Sequence, residues 1–517
     1  LQLSAYYRAQ QKAHPKLKLS KVGNLLAGLN YAGKADLYEV PFIRRPLIFF
    51  KKPLENSLVR FYVLLISGFI VWQIGNGPAA APATVTLGKE KRPAADLKTA
   101  ISSWMKARNM SNDTSEYPVY IVSGQGGGSR AGYWMSHTLL GLDSLSQGQF
   151  RKHCFALSTI SGSSPGAAVS LAYWVDTLPD KPGWQYFPQA VYENNFITCG
   201  VAGNFFGDFL RKFGFPRIKN RNQRLQEEEA WCVQRALHPD HSRVSLADAF
   251  GYRPIGMDSM QTLYQGFDRL YYPDDTLRTD LPYFFANTCH VQTGKRGVAS
   301  VFRKGRDQDL FLLDAIPITE LMDTTITLGG AANISELFPF VSAAGGIDYQ
   351  HPKPKVDPQA PDDWAPETAL FVDGGYYENY GLTTALELSR MFKVVKQENP
   401  KAFSRFKIHI ICVVNSDAHI GESDLPHQTV SHSVNQFQAP VTALLNTPFS
   451  GHASQLRWQM KYVFHPDSLF DYSEIVLPNS VNVPLSRILT QANIKKMDDA
   501  WEKDVTVNKI SISLHKK

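Results

Sequence analysis

Residues 124–132 read Gly-Gln-Gly-Gly-Gly-Ser-Arg-Ala-Gly. An apolar, strand-like segment from Val119 to Val122 runs into this stretch, and a helix-like one from Ala131 to Leu145 runs out of it. At such a junction successive backbone N–H groups converge and the helix terminus adds partial positive charge, so the turn suits an anion. About thirty residues on, strand-like Phe155 to Ile160 enters Gly162-Ser163-Ser164-Pro165-Gly166, and a helical apolar face follows at Ala167, Ala168, Leu171, Ala172 and Val175. Pro165 fits the first turn of a helix, where a missing N–H costs nothing. The β–α–β–α order is met most economically by an α/β fold with a mainly parallel sheet sandwiched by helices.

The second turn has the G-x-S-x-G form of a nucleophile elbow, with Ser164 at its centre and the bland alternative of a capping serine. A third apolar strand, Ala369 to Val372, ends in Asp373-Gly374-Gly375. In open α/β sheets chemistry gathers at the carboxyl ends of strands, and two glycines after the acid permit a tight turn. A nucleotide site is disfavoured, because Ser161-Gly162 stands where a ribose-binding acid is needed and no Gly-Lys-Ser/Thr follows the glycines.

These three motifs, in this order, resemble the patatin-like phospholipases, and most closely the bacterial members with a hydrophobic N-terminal region. The resemblance covers roughly residues 115 to 505 and is supported by Asn287-Thr288, the Phe338 to Ser342 stretch and the region from Pro440 to Gly451. It implies a serine–aspartate dyad, with Ser164 as nucleophile and Asp373 as base. Gly126, Gly127 and Gly128 form the oxyanion loop, the N–H groups of Gly127 and Gly128 being the donor candidates. Arg130, Gly374 and Gly375 have supporting parts, and Arg130 either holds the loop or meets a lipid phosphate. The expected reaction is hydrolysis of a lipid carboxylic ester through an acyl-enzyme, with no metal and no other cofactor. Acyl transfer by the same dyad, or a silent lipid-binding protein, are the alternatives.

Pro165 after the expected nucleophile has no N–H, so an oxyanion bond from that position is ruled out and the glycine loop must supply the hole. A Ser-His-Asp triad needs a histidine after Asp373, for which His409, His419, His427, His432 and His452 are available and His419 is the best placed. The close pair His238 and His241 lacks an accompanying ligand cluster. Five cysteines, at 154, 199, 232, 289 and 412, are scattered in the manner of small buried apolar residues.

Charge is unevenly spread. Residues 1–60 hold eleven Lys or Arg against three Asp or Glu, whereas the whole chain carries a net charge of only +7. The catalytic region therefore has no nucleic-acid surface to expect, and the leader reads as a basic flank beside a membrane. Leu58 to Ile74 is the candidate anchor, though its apolar run of twelve from Phe61 to Trp72 is short against the ~20 residues of a spanning helix. The expected organisation is a basic leader (1–57), an anchor (58–74), a linker with an amphipathic helix from Ala95 to Ala107 (75–116), and a catalytic domain (117–517). An inserted helical cap is expected around 180–280, with Phe205, Phe206, Phe209, Leu210 and Phe213 along one side. A basic cytoplasmic flank places the catalytic domain across a bacterial inner membrane, in the periplasm, with lipid and membrane as partners.

Overall fold

The computed structural model describes residues 83–84, 94–108, 115–176, 181–196, 221–237, 262–305, 311–322, 324–338, 342–352, 364–416, 451–464 and 470–515. The chain divides into two compact units, Leu1–Ala79 and Ala80–Lys517, and every described residue belongs to the second. The candidate anchor at 58–74, the aromatic run at 205–213, Cys199 and His238, His241, His419, His427 and His432 lie outside the described residues. Among the described residues no helix is long and apolar enough to cross a membrane.

The strands are β1 (Ala83–Thr84), β2 (Tyr117–Gly124), β3 (Cys154–Ile160), β4 (Tyr283–His290), β5 (Arg296–Ala299), β6 (Ala315–Pro317), β7 (Gly345–Pro352), β8 (Trp364–Asp373), β9 (Phe406–Val414) and β10 (Asp471–Val476). They form one sheet in the order β1-β7-β8-β4-β3-β2-β9-β10, with β5 and β6 branching from β4. The run from β4 through β3, β2 and β9 to β10 is parallel throughout. β3 is buried along its whole length, and β2 from Val119 onward. That continuous apolar character is what a strand covered on both faces requires.

The sheet is mixed beyond this block. β8 pairs antiparallel with β4 and with β7, and β5 pairs antiparallel with β4. β8 meets β4 over only Thr288↔Asp373, Cys289↔Val372 and His290↔Phe371. It thus reaches the carboxyl edge of the parallel block from the opposite direction and ends there on Asp373.

Helix α1 (Leu97–Arg108), α2 (Gly128–Leu145), α3 (Ser163–Val175), α4 (Arg221–Leu237), α5 (Leu328–Ser335) and α6 (Leu382–Glu398) cover the sheet. α2 and α3 cross closely because both carry glycine at the contact: a Cβ on Gly166 would come within 2.5 Å of the Gly132 carbonyl oxygen. α4 lies in the expected insert and packs on α5. The amphipathic helix expected before the catalytic domain is α1, and its Trp104 is fully buried, edge-on to Phe155 and Phe392. This helix thus belongs to the same compact unit as the sheet. Cys154, Cys232, Cys289 and Cys412 are buried and unbridged, as their scatter implied.

Candidate active site

Sheet register brings the three motifs to one edge: Gly124 lies beside Thr159, Ile160 beside Asn287, and Thr288 opposite Asp373. The chain leaves β3 through Ser161, whose φ of 52° is in the left-handed region that non-glycine residues avoid. Its backbone N–H donates to the Ser335 carbonyl at 3.2 Å and to the Ser335 hydroxyl at 3.1 Å, which hold the unusual conformation in place. The Ser161 hydroxyl donates to Asp373 Oδ2 at 2.7 Å.

Asp373 therefore meets a different serine from the one expected. Ser164, the centre of the G-x-S-x-G pattern, is the second residue of α3 and is fully buried. Its hydroxyl lies 2.8 Å from Thr159 Oγ1 and donates to Ser335 Oγ at 2.9 Å. The difference has a simple cause: the sharp strand-to-helix turn falls where β3 ends, at 161–162, and by residue 164 the chain has already entered the helix. With Ser161 in this place the following residue is Gly162, which carries an N–H, so the restriction drawn from Pro165 no longer applies.

Asp373 is fully buried, and burial pushes its carboxyl up to about 6, against the hydrogen bonds from Ser161 and Gly375 and the positive charge of Arg487. Its Oδ1 accepts the Gly375 N–H at 2.8 Å. Gly374 must be glycine, because a side chain there would run into the Asn287 carbonyl. Both glycines of the Asp-Gly-Gly motif are thus used, one for a donor and one for close approach.

The glycine loop lies directly on the elbow. A Cβ on Gly162 would collide with the Gly128 carbonyl, and one on Gly126 would come within 2.9 Å of the Ser161 Cβ. The Gly126 N–H is already donated to the Asn379 carbonyl at 3.1 Å, which removes it as an oxyanion donor. The N–H groups of Gly127 and Gly128 have no acceptor among the described residues, and they open the N-terminus of α2. Arg130 donates from Nε to Asn415 Oδ1 at 3.0 Å and from a terminal nitrogen to the Val483 carbonyl at 2.8 Å. Of the two parts left open for it, holding the loop is the one with partners.

Four residues that sequence reading passed over complete the site. Asn415, the first residue beyond β9, donates its amide to the carbonyls of Gly126 at 2.8 Å and Gln125 at 3.2 Å. Gln125 returns the contact by accepting the Asn415 N–H at 2.8 Å, and it also donates to the Tyr380 hydroxyl at 3.1 Å. Ser335 holds Ser161 as described. Arg487 donates to Glu336 Oε2 at 3.1 Å and to the Glu336 carbonyl at 3.0 Å. The neighbouring Ser486 carbonyl accepts the Ser129 N–H, so this strap also fixes the glycine loop. Burial raises the carboxyls of both Glu336 and its neighbour Glu229, with Arg487 opposing. The available signal was positional: Ser161 and Asn415 are each the first residue past a strand at the carboxyl edge.

The two described histidine candidates bond elsewhere. His409 Nε2 lies 2.9 Å from Ser473 Oγ on the neighbouring strand, and His452 Nδ1 lies 2.9 Å from the Tyr377 carbonyl.

Comparison with models of protein families gave no match, and neither did comparison with curated protein sequences. Among solved structures the chain is similar to human GIVD cytosolic phospholipase A2, at 11% identity and a TM-score of 0.28, over 65% of this chain and 52% of that one. It is also similar to VipD from Legionella pneumophila, at 10% identity and a TM-score of 0.28, over 86% of this chain and 73% of that one. The chain thus spans about half the length of the first of these.

Proposed function

We propose that this chain is a serine acyl hydrolase that cleaves carboxylic esters of lipids with a Ser161–Asp373 dyad. The observation that carries the reading is the 2.7 Å contact between Asp373 and a serine held at φ 52° against the glycine loop. Strain of this kind at a strand-to-helix turn presents a hydroxyl to a reacting carbonyl, and it persists only where surrounding structure holds it. The lipid ester as substrate class rests on the motif order of the sequence.

In the reaction, Ser161 Oγ attacks the acyl carbonyl as its proton passes to Asp373 Oδ2. The oxyanion takes the free N–H groups of Gly127 and Gly128 at the start of α2, where the helix dipole favours negative charge. Collapse expels the alcohol, which takes the proton from Asp373, and leaves the acyl group on Ser161. Water then attacks with Asp373 again as base, releasing the acid and restoring the dyad. A carboxyl near 6 is a stronger base than an ordinary one near 3.8 and is still ionised at neutral pH.

A fluorophosphonate probe tests the reading, since only an activated serine reacts readily. The expected adduct lies on Ser161, is abolished by Ser161→Ala and survives Ser164→Ala. Labelling that persists in Ser161→Ala and disappears in Ser164→Ala returns the nucleophile to Ser164. No adduct on either residue of folded protein removes the hydrolase reading.

A further inference from the structure

Helix α7 (Ala453–Trp458) continues into a single wider turn, Gln459–Phe464. Its inner side is pinned to the wall of the site. Arg457 and Met460 are buried, and Arg457 grips Glu474 with two bonds of 3.0 and 2.8 Å. Arg457 also donates to the Tyr380 hydroxyl at 3.3 Å, the same hydroxyl that receives the Gln125 amide beneath the glycine loop.

The outer side is different in kind. Trp458 is 47% exposed and Tyr462 52%, with ring centroids 6.2 Å apart, and the Lys461 ammonium lies 5.8 Å from the Tyr462 ring centre. These two contacts put Trp458, Lys461 and Tyr462 on one patch of the turn. No Asp or Glu occurs between His452 and Phe464, and Glu474, the carboxylate that feels the Lys461 charge, is largely buried and bound on both oxygens by Arg457. Trp and Tyr join an apolar body to a polar tip, which suits a boundary between headgroups and chains, and a neighbouring lysine suits phosphate. A second protein copy is a poor match. Half-exposed aromatics offer roughly 100 Å² each, far below the ~800 Å² per partner of a stable interface.

We propose that this face seats the protein on a bilayer carrying anionic phospholipid, with Trp458 and Tyr462 at headgroup depth and Lys461 on phosphate. Its purpose rests on the hydrolase reading, since the face is borne by the wall that supports the oxyanion loop. The docking itself is measured without turnover.

The test uses the full chain bearing Ser161→Ala, so that lipid stays intact, and vesicles of phosphatidylcholine and phosphatidylglycerol with brominated acyl chains. Bromine quenches only tryptophan that reaches the bilayer, and the chain has nine tryptophans, so the difference made by Trp458→Phe isolates one. That substitution keeps a ring at an exposed position and leaves folding out of question. The expected result is quenching whose Trp458-dependent part is lost in Trp458→Phe and falls severalfold in Lys461→Glu at low salt. Equal quenching with and without Trp458 overturns the proposal, as does a Trp458 component that Lys461→Glu leaves at full size. The quenching result holds whether or not Ser161 proves to be a nucleophile, so failure of the docking and failure of the hydrolase reading are told apart.

Discussion

Asp373 is a carboxylate in the place least suited to its charge. Its folded value of about 6 lies above the ordinary 3.8, so the folded chain binds this proton more tightly than the unfolded one. The resulting stability is fully present below pH ~4 and is lost as pH rises through about 6. Asp373→Asn should therefore raise the melting temperature at pH 8, by up to about 3 kcal/mol of unfolding free energy, while lowering kcat/KM about a thousandfold. In the unaltered enzyme kcat/KM should climb with pH around a midpoint near 6, as the base ionises. Arg487 is among the groups that hold that midpoint down, so Arg487→Gln should move the limb to higher pH, a shift that misfolding alone does not produce. At this scale Asp373 was legible, because a carboxylate followed by two glycines at a strand end is a local pattern. Ser161 was not. The five-residue pattern around Ser164 fits the motif in letters, whereas which serine meets Asp373 depends on a backbone angle just past β3, and that angle is not written in residue types.

The glycine loop has no side chains of its own with which to hold its shape. Asn415 and the Ser486 carbonyl do that work from other elements, through a carbonyl and an N–H that the loop leaves unpaired, and the flanking Gln125 and Arg130 side chains hold Asn415 in turn. Asn415→Ala should free the Gly126 carbonyl and blur the donors by a fraction of an ångström. The expected outcome is a fall in kcat of roughly tenfold to a hundredfold with a smaller change in KM, measured on a soluble ester. Elements β2, α2, β3 and α3 were readable to within a few residues, since each carries its own period or run of buried residues. The antiparallel arms were not, because β8 looks the same from sequence whichever way it enters the sheet. Asn415 had only its place at the end of a strand to mark it, and its value comes from β9 lying beside β2.

Every residue of the candidate site lies within the unit from Ala80 to Lys517. Removing residues 1–79 is accordingly expected to leave turnover of a monomeric soluble ester largely unchanged, which a direct rate comparison checks. Nucleophile and base are 212 residues apart along the chain, and the amide that braces the loop comes from Asn415, later still. As the polypeptide emerges from the ribosome, β2, β3 and their helices precede β8 and β9 by about 190 residues or more. At translation rates of ~5–20 residues per second the elbow exists for on the order of ten seconds before its base is made. On the proposed reading, a nascent chain lacks the base that activates its serine, and attack on lipid waits until synthesis is well past its midpoint.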